Sequence, residues 1–222
     1  MCDNGKIILN ITITLMLVFF FALLGFQTAG QTNKDNFTLK KGANSKLEKA
    51  TFGSGCFWCS EAVFERVKGV KEVESGYAGG TIKDPTYEQV CSGTTGSAEV
   101  IQIMYEQNEI SYDELLEIFW KTHDPTTLNQ QGNDVGTQYR SVIFYHNDEQ
   151  QKKAEEYIKA LDKSGSWNDP IVTSIEPYNN YSKAENYHQN YYENNPNQGY
   201  CSFVIVPKIE KFERVFKDKL KK

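Results

Sequence analysis

A strand-like run, Lys49-Ala50-Thr51-Phe52, meets a glycine bend at Gly53-Ser54-Gly55 and then a cysteine at the head of a helical pattern. Ala62, Val63, Phe64 and Val67 recur at helical spacing, with Glu61, Glu65, Arg66 and Lys68 between them and Gly69 as a stop. The stretch therefore folds as a strand running into a helix, with Cys56 at or next to the helix start. Free backbone N–H groups and the helix dipole at such a position favour a thiolate over a thiol, so Cys56 is a candidate nucleophile. Phe57 and Trp58 could wall an apolar pocket beside its sulfur, and Cys59 follows one turn on, the spacing of dithiol redox motifs. The same string admits two blander readings: cysteines that are simply buried, or half of a zinc site.

The rest of the 222-residue chain supplies enough material for one domain with a substantial core. Strands are expected over 70–75, 99–105, 141–145, 170–175 and 201–206. Helices are expected from the capping box Ser111-Tyr112-Asp113-Glu114 to a stop at His123-Asp124-Pro125, over 148–163, over a short stretch capped by Ser182 and Glu185, and from Pro207 onward. Gly76-Tyr77-Ala78-Gly79-Gly80 reads as an interruption of the first of these strands, and 81–97 as an irregular loop of the kind that lines a site. Strands and helices alternate without regular crossover units, which indicates a mixed sheet with helices packed against it. A net charge of −5, from 24 basic and 29 acidic side chains, leaves no electrostatic footprint for nucleic acid.

Residues 7–26 form an uncharged apolar run long enough to cross a bilayer, preceded by Lys6. A signal peptide cleaved near Thr28-Ala29-Gly30 and an uncleaved anchor both fit, giving residues 1–30 that role and 31–47 the role of a polar tether. Either places the domain that follows outside the cytoplasmic membrane, in the cell envelope, with a cytoplasmic location as the alternative. Cys2 lies before the apolar run and is set aside from the chemistry.

A redox enzyme built on Cys56 needs a proton donor for a departing oxygen and a second thiol to discharge the first. Glu99 is the best acid candidate, because a carboxyl beside apolar strand residues and aromatics has a raised pKa. Tyr87 and Tyr139 could donate hydrogen bonds to the same oxygen, although with 13 tyrosines either one could simply pack in the core. Asp134 and His188 are ambiguous on sequence, and the three histidines show no ligand-like grouping. A general thiol-disulfide oxidoreductase and a peptide-binding module with an inert Cys56 are the competing readings.

The strings Gly55-Cys56-Phe57-Trp58-Cys59, Gly76-Tyr77-Ala78-Gly79-Gly80, Pro85-Thr86-Tyr87, Thr95-Gly96-Ser97-Ala98-Glu99, the long run from His123-Asp124-Pro125 to Tyr139-Arg140-Ser141, Tyr187-His188-Gln189, and Asn195-Pro196 with Tyr200-Cys201 occur in this order. Together they resemble the peptide methionine sulfoxide reductase A family, over roughly residues 48–216, with 217–222 left as a basic tail. The resemblance implies an enzyme specific for the S epimer of methionine sulfoxide in proteins, with the free amino acid as a further substrate. It implies Cys56 as the nucleophile that becomes a sulfenic acid, Phe57 and Trp58 around the substrate methyl group, and Glu99 as proton donor. Tyr87 and Tyr139 would bind the sulfoxide oxygen, with Asp134 supporting the site. Cys201 is expected to resolve the sulfenic acid from a mobile Gly- and Pro-containing run, with Cys59 and then Cys91 as the other choices. A thioredoxin-like dithiol would reduce the resulting disulfide, and neither a cofactor nor a metal is implied. Many members carry His where this chain has Ser97, a change expected to tune the site. The fold expected is α/β (α+β): a monomeric single domain whose mixed sheet and helices make a two-layer sandwich with a ferredoxin-like core.

Overall fold

In the computed structural model, which describes residues 46–222, the strand and helix around Cys56 are β1 (Leu47–Ser54) and α1 (Phe57–Phe64). The chain continues through β2 (Val70–Ala78), α2 (Tyr87–Cys91), β3 (Ala98–Glu106) and α3 (Tyr112–Thr122). A small hairpin, β4 (Gln130–Gln131) and β5 (Asp134–Val135), precedes β6 (Ser141–Tyr145) and α4 (Asp148–Ser164). β7 (Ser174–Pro177), β8 (Ser182–Lys183), α5 (Tyr191–Asn194) and α6 (Val206–Val215) complete it. The main sheet has the order β7-β6-β1-β3-β2-β8, antiparallel except for the β6–β7 pair. Its four central strands in chain order, β1, β2, β3 and β6, lie as 4-1-3-2, the ferredoxin-like arrangement expected.

Alternation along the strands sorts the side chains into two faces. Phe52, Ile101, Ile103 and Ile143 enter the main core with Val63 and Phe64 of α1 and Leu115, Leu116 and Phe119 of α3. Val100, Val142 and Phe144 point the other way, where Tyr178 and Tyr181 cover them. The period places Glu99 on the same face as Ile101 and Ile103, under α1. Ser111 and Glu114 form the expected capping box of α3. At the other end His123 donates from Nδ1 to the Phe119 carbonyl (2.7 Å) and meets the Ser141 hydroxyl through Nε2 (2.8 Å).

Several local expectations are corrected. β2 is not interrupted at Gly76 but runs on through Ala78, because β3 and β8 both pair there. A Cβ on Gly76 would lie 2.6 Å from the Ser182 carbonyl oxygen, so the glycine permits the close approach of β8. The 81–97 loop contains α2, held by a capping box of Thr86 and Gln89. Ser182 belongs to β8 and caps no helix, and the expected short helix is split into a tight turn, Asn186–His188, and α5 by Asn190 in the left-handed region (φ 51°). The strand expected over 170–175 starts only at Ser174, since Val172 is engaged by the Pro125 carbonyl (2.8 Å).

The largest correction concerns 201–206. This segment is a wide π turn, Cys201–Ile205, leading straight into α6. Cys201, Ile205, Ile209 and Phe212 are all buried, a helical stripe that the β-branched residues concealed. Pro207 stands in the first turn of α6, where a missing N–H costs little. Residues 217–222, expected as a tail, are tied to the body: Lys68 N–H donates to the Lys219 carbonyl (2.7 Å), and Lys219 pairs with Glu114. The apolar run 7–26, and the tether apart from its last two residues, lie outside the described residues. Among the described residues no helix is long and apolar enough to cross a membrane.

Candidate active site

Gly55 turns the chain out of β1 with φ +90°, a conformation that a side chain strains. A Cβ there would lie 2.5 Å from Gln131 Cβ, so glycine also lets the β4–β5 hairpin close against the head of α1. Gly55→Ala is therefore expected to lower stability by about 1–3 kcal/mol, read as a shift of the urea midpoint. An unchanged midpoint would contradict this packing.

Cys56 follows as the N-cap of α1, only 6% exposed. Desolvation pushes its thiol well above the usual range, and the Cys59 and Glu99 groups beside it push the same way. The expected preference for thiolate at the helix start is thus overridden, because removing a sulfur anion from water costs more than one helix terminus returns. The thiol is its resting form.

Glu99 reaches the same point from β3. It is 1% exposed, and its Oε2 accepts the Phe57 N–H at 3.0 Å, which leaves Oε1 to carry a proton. Burial raises its pKa to about 8, against the pull of the Phe57 amide. The carboxyl is therefore largely protonated at neutral pH, next to a sulfur that holds its own proton. Tyr87 opens α2, with its N–H on Glu185 Oε1 (2.9 Å), and Tyr139 closes the tight turn Thr137–Tyr139. Burial raises both phenols above their usual range and keeps them protonated. Both remain hydrogen-bond donors. Ser97 packs against Gly80, and no hydrogen bond joins it to Glu99.

Phe57 is fully buried, whereas Trp58 is half-buried and held on two sides. Its Nε1–H donates to His188 Nδ1 (3.1 Å), and the Tyr191 ring stacks on the indole at 3.6 Å and 7°. That hydrogen bond fixes the proton of neutral His188 on Nε2, and burial holds the imidazole pKa below its usual value. His188 also meets Phe57 and Tyr87, with ring centroids 5.0 and 4.4 Å apart, so this histidine is an aromatic spacer in the site.

On the far side of Cys56 a cavity of about 280 Å³ is lined by Cys56, Cys59, Asp134, Tyr200, Phe203 and Lys208, among others. The Tyr200 hydroxyl donates to Asp134 Oδ2 (2.6 Å) and lies 3.7 Å from Cys59 Sγ. The Cys56 thiol beside it lowers the Cys59 pKa to about 7, with the Lys208 cation assisting. Cys59 is thereby the readier of the two to ionise. Cys201 is fully buried in the π turn, where burial pushes its thiol up. Cys91 ends α2 and is exposed. From sequence alone Tyr200 and Lys208 have no part in the site and Glu185 is only a helix cap; Tyr200 stands inside one of the matching strings, but only the fold turns its hydroxyl toward Cys59. Among the described residues no group of three or more His, Cys, Asp or Glu is placed to hold a metal ion.

Residues 48–220 match the family model described as Peptide methionine sulfoxide reductase. The chain is 54% identical over 175 residues to a peptide methionine sulfoxide reductase MsrA of Saccharolobus solfataricus, covering 79% of this chain and 98% of that one. It is 57% identical over 167 residues to an MsrA of Leptospira borgpetersenii, covering 75% and 93%. Among solved structures it resembles reduced Mxr1 from Saccharomyces cerevisiae (TM-score 0.65, 37% identity, 72% of this chain and 92% of that one). It also resembles methionine sulfoxide reductase A of Corynebacterium diphtheriae (TM-score 0.63, 35% identity, 71% and 78%). A buried acid and thiol at one helix start, on a fold shared with these proteins and with a sequence that matches them over its whole described domain, make this chain a member of the peptide methionine sulfoxide reductase A family, an oxidoreductase acting on methionine sulfoxide.

Proposed function

We propose that the chain reduces methionine S-sulfoxide in peptides and proteins by moving the sulfoxide oxygen onto Cys56. The observation that carries this reading is the Glu99 carboxyl, buried, protonated to about pH 8, and fixed by the Phe57 amide next to the Cys56 thiol. Sulfoxide sulfur becomes electrophilic when its oxygen is protonated, so an acid and a thiol at one point are the two groups the reaction needs. Phe57 and Trp58 offer the apolar wall for the methyl group, and the Tyr87 and Tyr139 hydroxyls act as donors to the oxygen.

In the first step Glu99 gives its proton to the sulfoxide oxygen while the Cys56 sulfur attacks the sulfoxide sulfur. The Cys56 proton passes to the carboxylate that Glu99 has become. The S–O bond of the substrate breaks, the hydroxyl ends on Cys56 as a sulfenic acid, and the thioether leaves; the substrate gains two electrons and Cys56 loses them. In the second step the resolving sulfur attacks the Cys56 sulfur and the S–O bond of the sulfenic acid breaks; the hydroxyl takes the Glu99 proton and leaves as water, the proton of the resolving thiol restores Glu99, and a disulfide remains. A protein dithiol of the thioredoxin type then reduces the disulfide by exchange.

The resolving role expected of Cys201 passes to Cys59 in this proposal. The low pKa of Cys59 favours it, as do its place one turn after Cys56 and the cavity that both thiols line. Cys201, by contrast, is enclosed in a packed helix. The test treats wild type, Cys59→Ser and Cys201→Ser with one equivalent of a peptide carrying racemic methionine sulfoxide, then maps disulfides by non-reducing peptide mass spectrometry. A Cys56–Cys59 bond is expected in wild type and Cys201→Ser, a sulfenic acid on Cys56 in Cys59→Ser, and only the S epimer consumed. A Cys56–Cys201 bond in wild type would return the role to Cys201, and equal consumption of both epimers would refute the stereochemical assignment.

A further inference from the structure

Glu61 lies on α1 three residues after Trp58 and is 1% exposed, yet the reaction above has no use for it. Its Oε2 accepts the N–H of Tyr191 (3.3 Å), the residue whose ring stacks on Trp58. Asn190, just before it, holds the left-handed conformation that points this N–H at α1. The other carboxyl oxygen, Oε1, and the Ser75 hydroxyl on β2 are both buried without a hydrogen-bond partner in the fixed geometry. The two lie close enough for the Ser75 hydroxyl to favour the ionised form of Glu61. Burial raises the carboxyl to about pKa 7. Gln189 closes the same turn on β2, its amide donating to the Ser75 carbonyl (2.9 Å) and accepting the Ser75 N–H (3.1 Å).

An apolar residue would fill this space without the desolvation cost of an acid, but it would leave the Tyr191 amide without its acceptor. The carboxyl is placed where it can tie α1, β2 and the Asn190-Tyr191 turn together. We propose that Glu61 is a positioning residue for substrate binding: by holding the Tyr191 amide it keeps the Tyr191 ring flat on Trp58 and so fixes the indole that walls the methyl subsite. The role rests on the reading of Trp58 as that wall. Aromatic stacking sets the angle of the indole only if the second ring is itself held, and Tyr191 is only half-buried at the edge of the core.

The test compares kcat and KM for a peptidyl methionine S-sulfoxide across Glu61→Gln, Glu61→Ala, Tyr191→Ala and the Glu61→Ala/Tyr191→Ala pair. Gln keeps an acceptor for Tyr191 and gains a donor for Ser75, so Glu61→Gln matches wild type. Glu61→Ala raises KM by about 10-fold with kcat within about twofold, the pattern of lost uniform binding. In the Tyr191→Ala background Glu61→Ala raises KM no further, because its effect travels through that ring. Trp58 emission, read with Trp120→Phe and Trp167→Phe in place, changes in Glu61→Ala and not in Glu61→Gln. Additive KM effects, equal losses in the Gln and Ala variants, or a fall in kcat with KM unchanged overturn the proposal. Should Glu61→Ala fail to fold, a Glu61→Gln variant with altered KM or emission, or a Tyr191→Ala variant with wild-type KM, overturns it equally. If Trp58→Phe leaves KM unchanged, the reading of Trp58 as the wall fails instead, and the emission comparison still decides whether Glu61 holds the stack.

Discussion

Replacing Cys56 by serine is expected to abolish reduction of peptidyl methionine sulfoxide, with a fall of more than roughly 10⁴-fold that no reductant restores. A hydroxyl is a far weaker nucleophile than a thiolate and cannot accept the oxygen as a reducible sulfenic acid. The loss must appear in the first turnover, measured as thioether released per enzyme without added dithiol. Because Cys56 is buried and one atom is exchanged for a smaller one, the thermal midpoint should move little, which separates lost chemistry from lost fold. Near-normal thioether release in this variant would remove the nucleophile from the account.

Glu99→Gln should keep the fold and slow sulfenic acid formation by on the order of 10²-fold, the scale of a positioned general acid. The Gln amide can still accept the Phe57 N–H, so the local geometry survives while the transferable proton is lost. The pH dependence carries a second signature. Glu99 holds its proton up to about pH 8, so the wild-type rate of sulfenic acid formation falls as pH rises through that value, and Glu99→Gln lacks this limb. The folded-state pKa lies above the unfolded value, so the protonated carboxyl supports the fold fully below about 4.5, and that support is lost as pH rises through about 8. Wild type should accordingly lose stability relative to Glu99→Gln across that range, which urea titrations at several pH values check. An undiminished rate in the variant over the same range would assign the proton to another group.

The strand–bend–helix around Cys56 was legible because glycine, cysteine and the apolar helical spacing act locally. The ladder that buries Glu99 was legible too, since alternation puts it on the face of Ile101 and Ile103. Misreadings fell where local preference and tertiary packing conflict. Residues 201–206 carry β-branched side chains, yet the buried stripe from Cys201 through Ile205, Ile209 and Phe212 has helical period, and the period prevailed. Thr86 and Gln89 have the spacing of a capping box, a signal for α2 present in the sequence but hidden by the surrounding glycines and Pro85. The ionisation of Cys56 was not legible, because it depends on burial by residues from β3, the β4–β5 hairpin and α6. The same holds for the Tyr200 contact with Cys59, whose partners are 141 positions apart.

The central claim is that the substrate oxygen passes to the Cys56 sulfur. The most direct measurement gives the Cys59→Ser/Cys201→Ser protein one equivalent of a peptidyl methionine S-sulfoxide labelled with heavy oxygen, then reads the mass of the Cys56 peptide after trapping. The account predicts one labelled oxygen on Cys56, in step with release of one thioether. Thioether release without label on Cys56, or label on another residue, would contradict it.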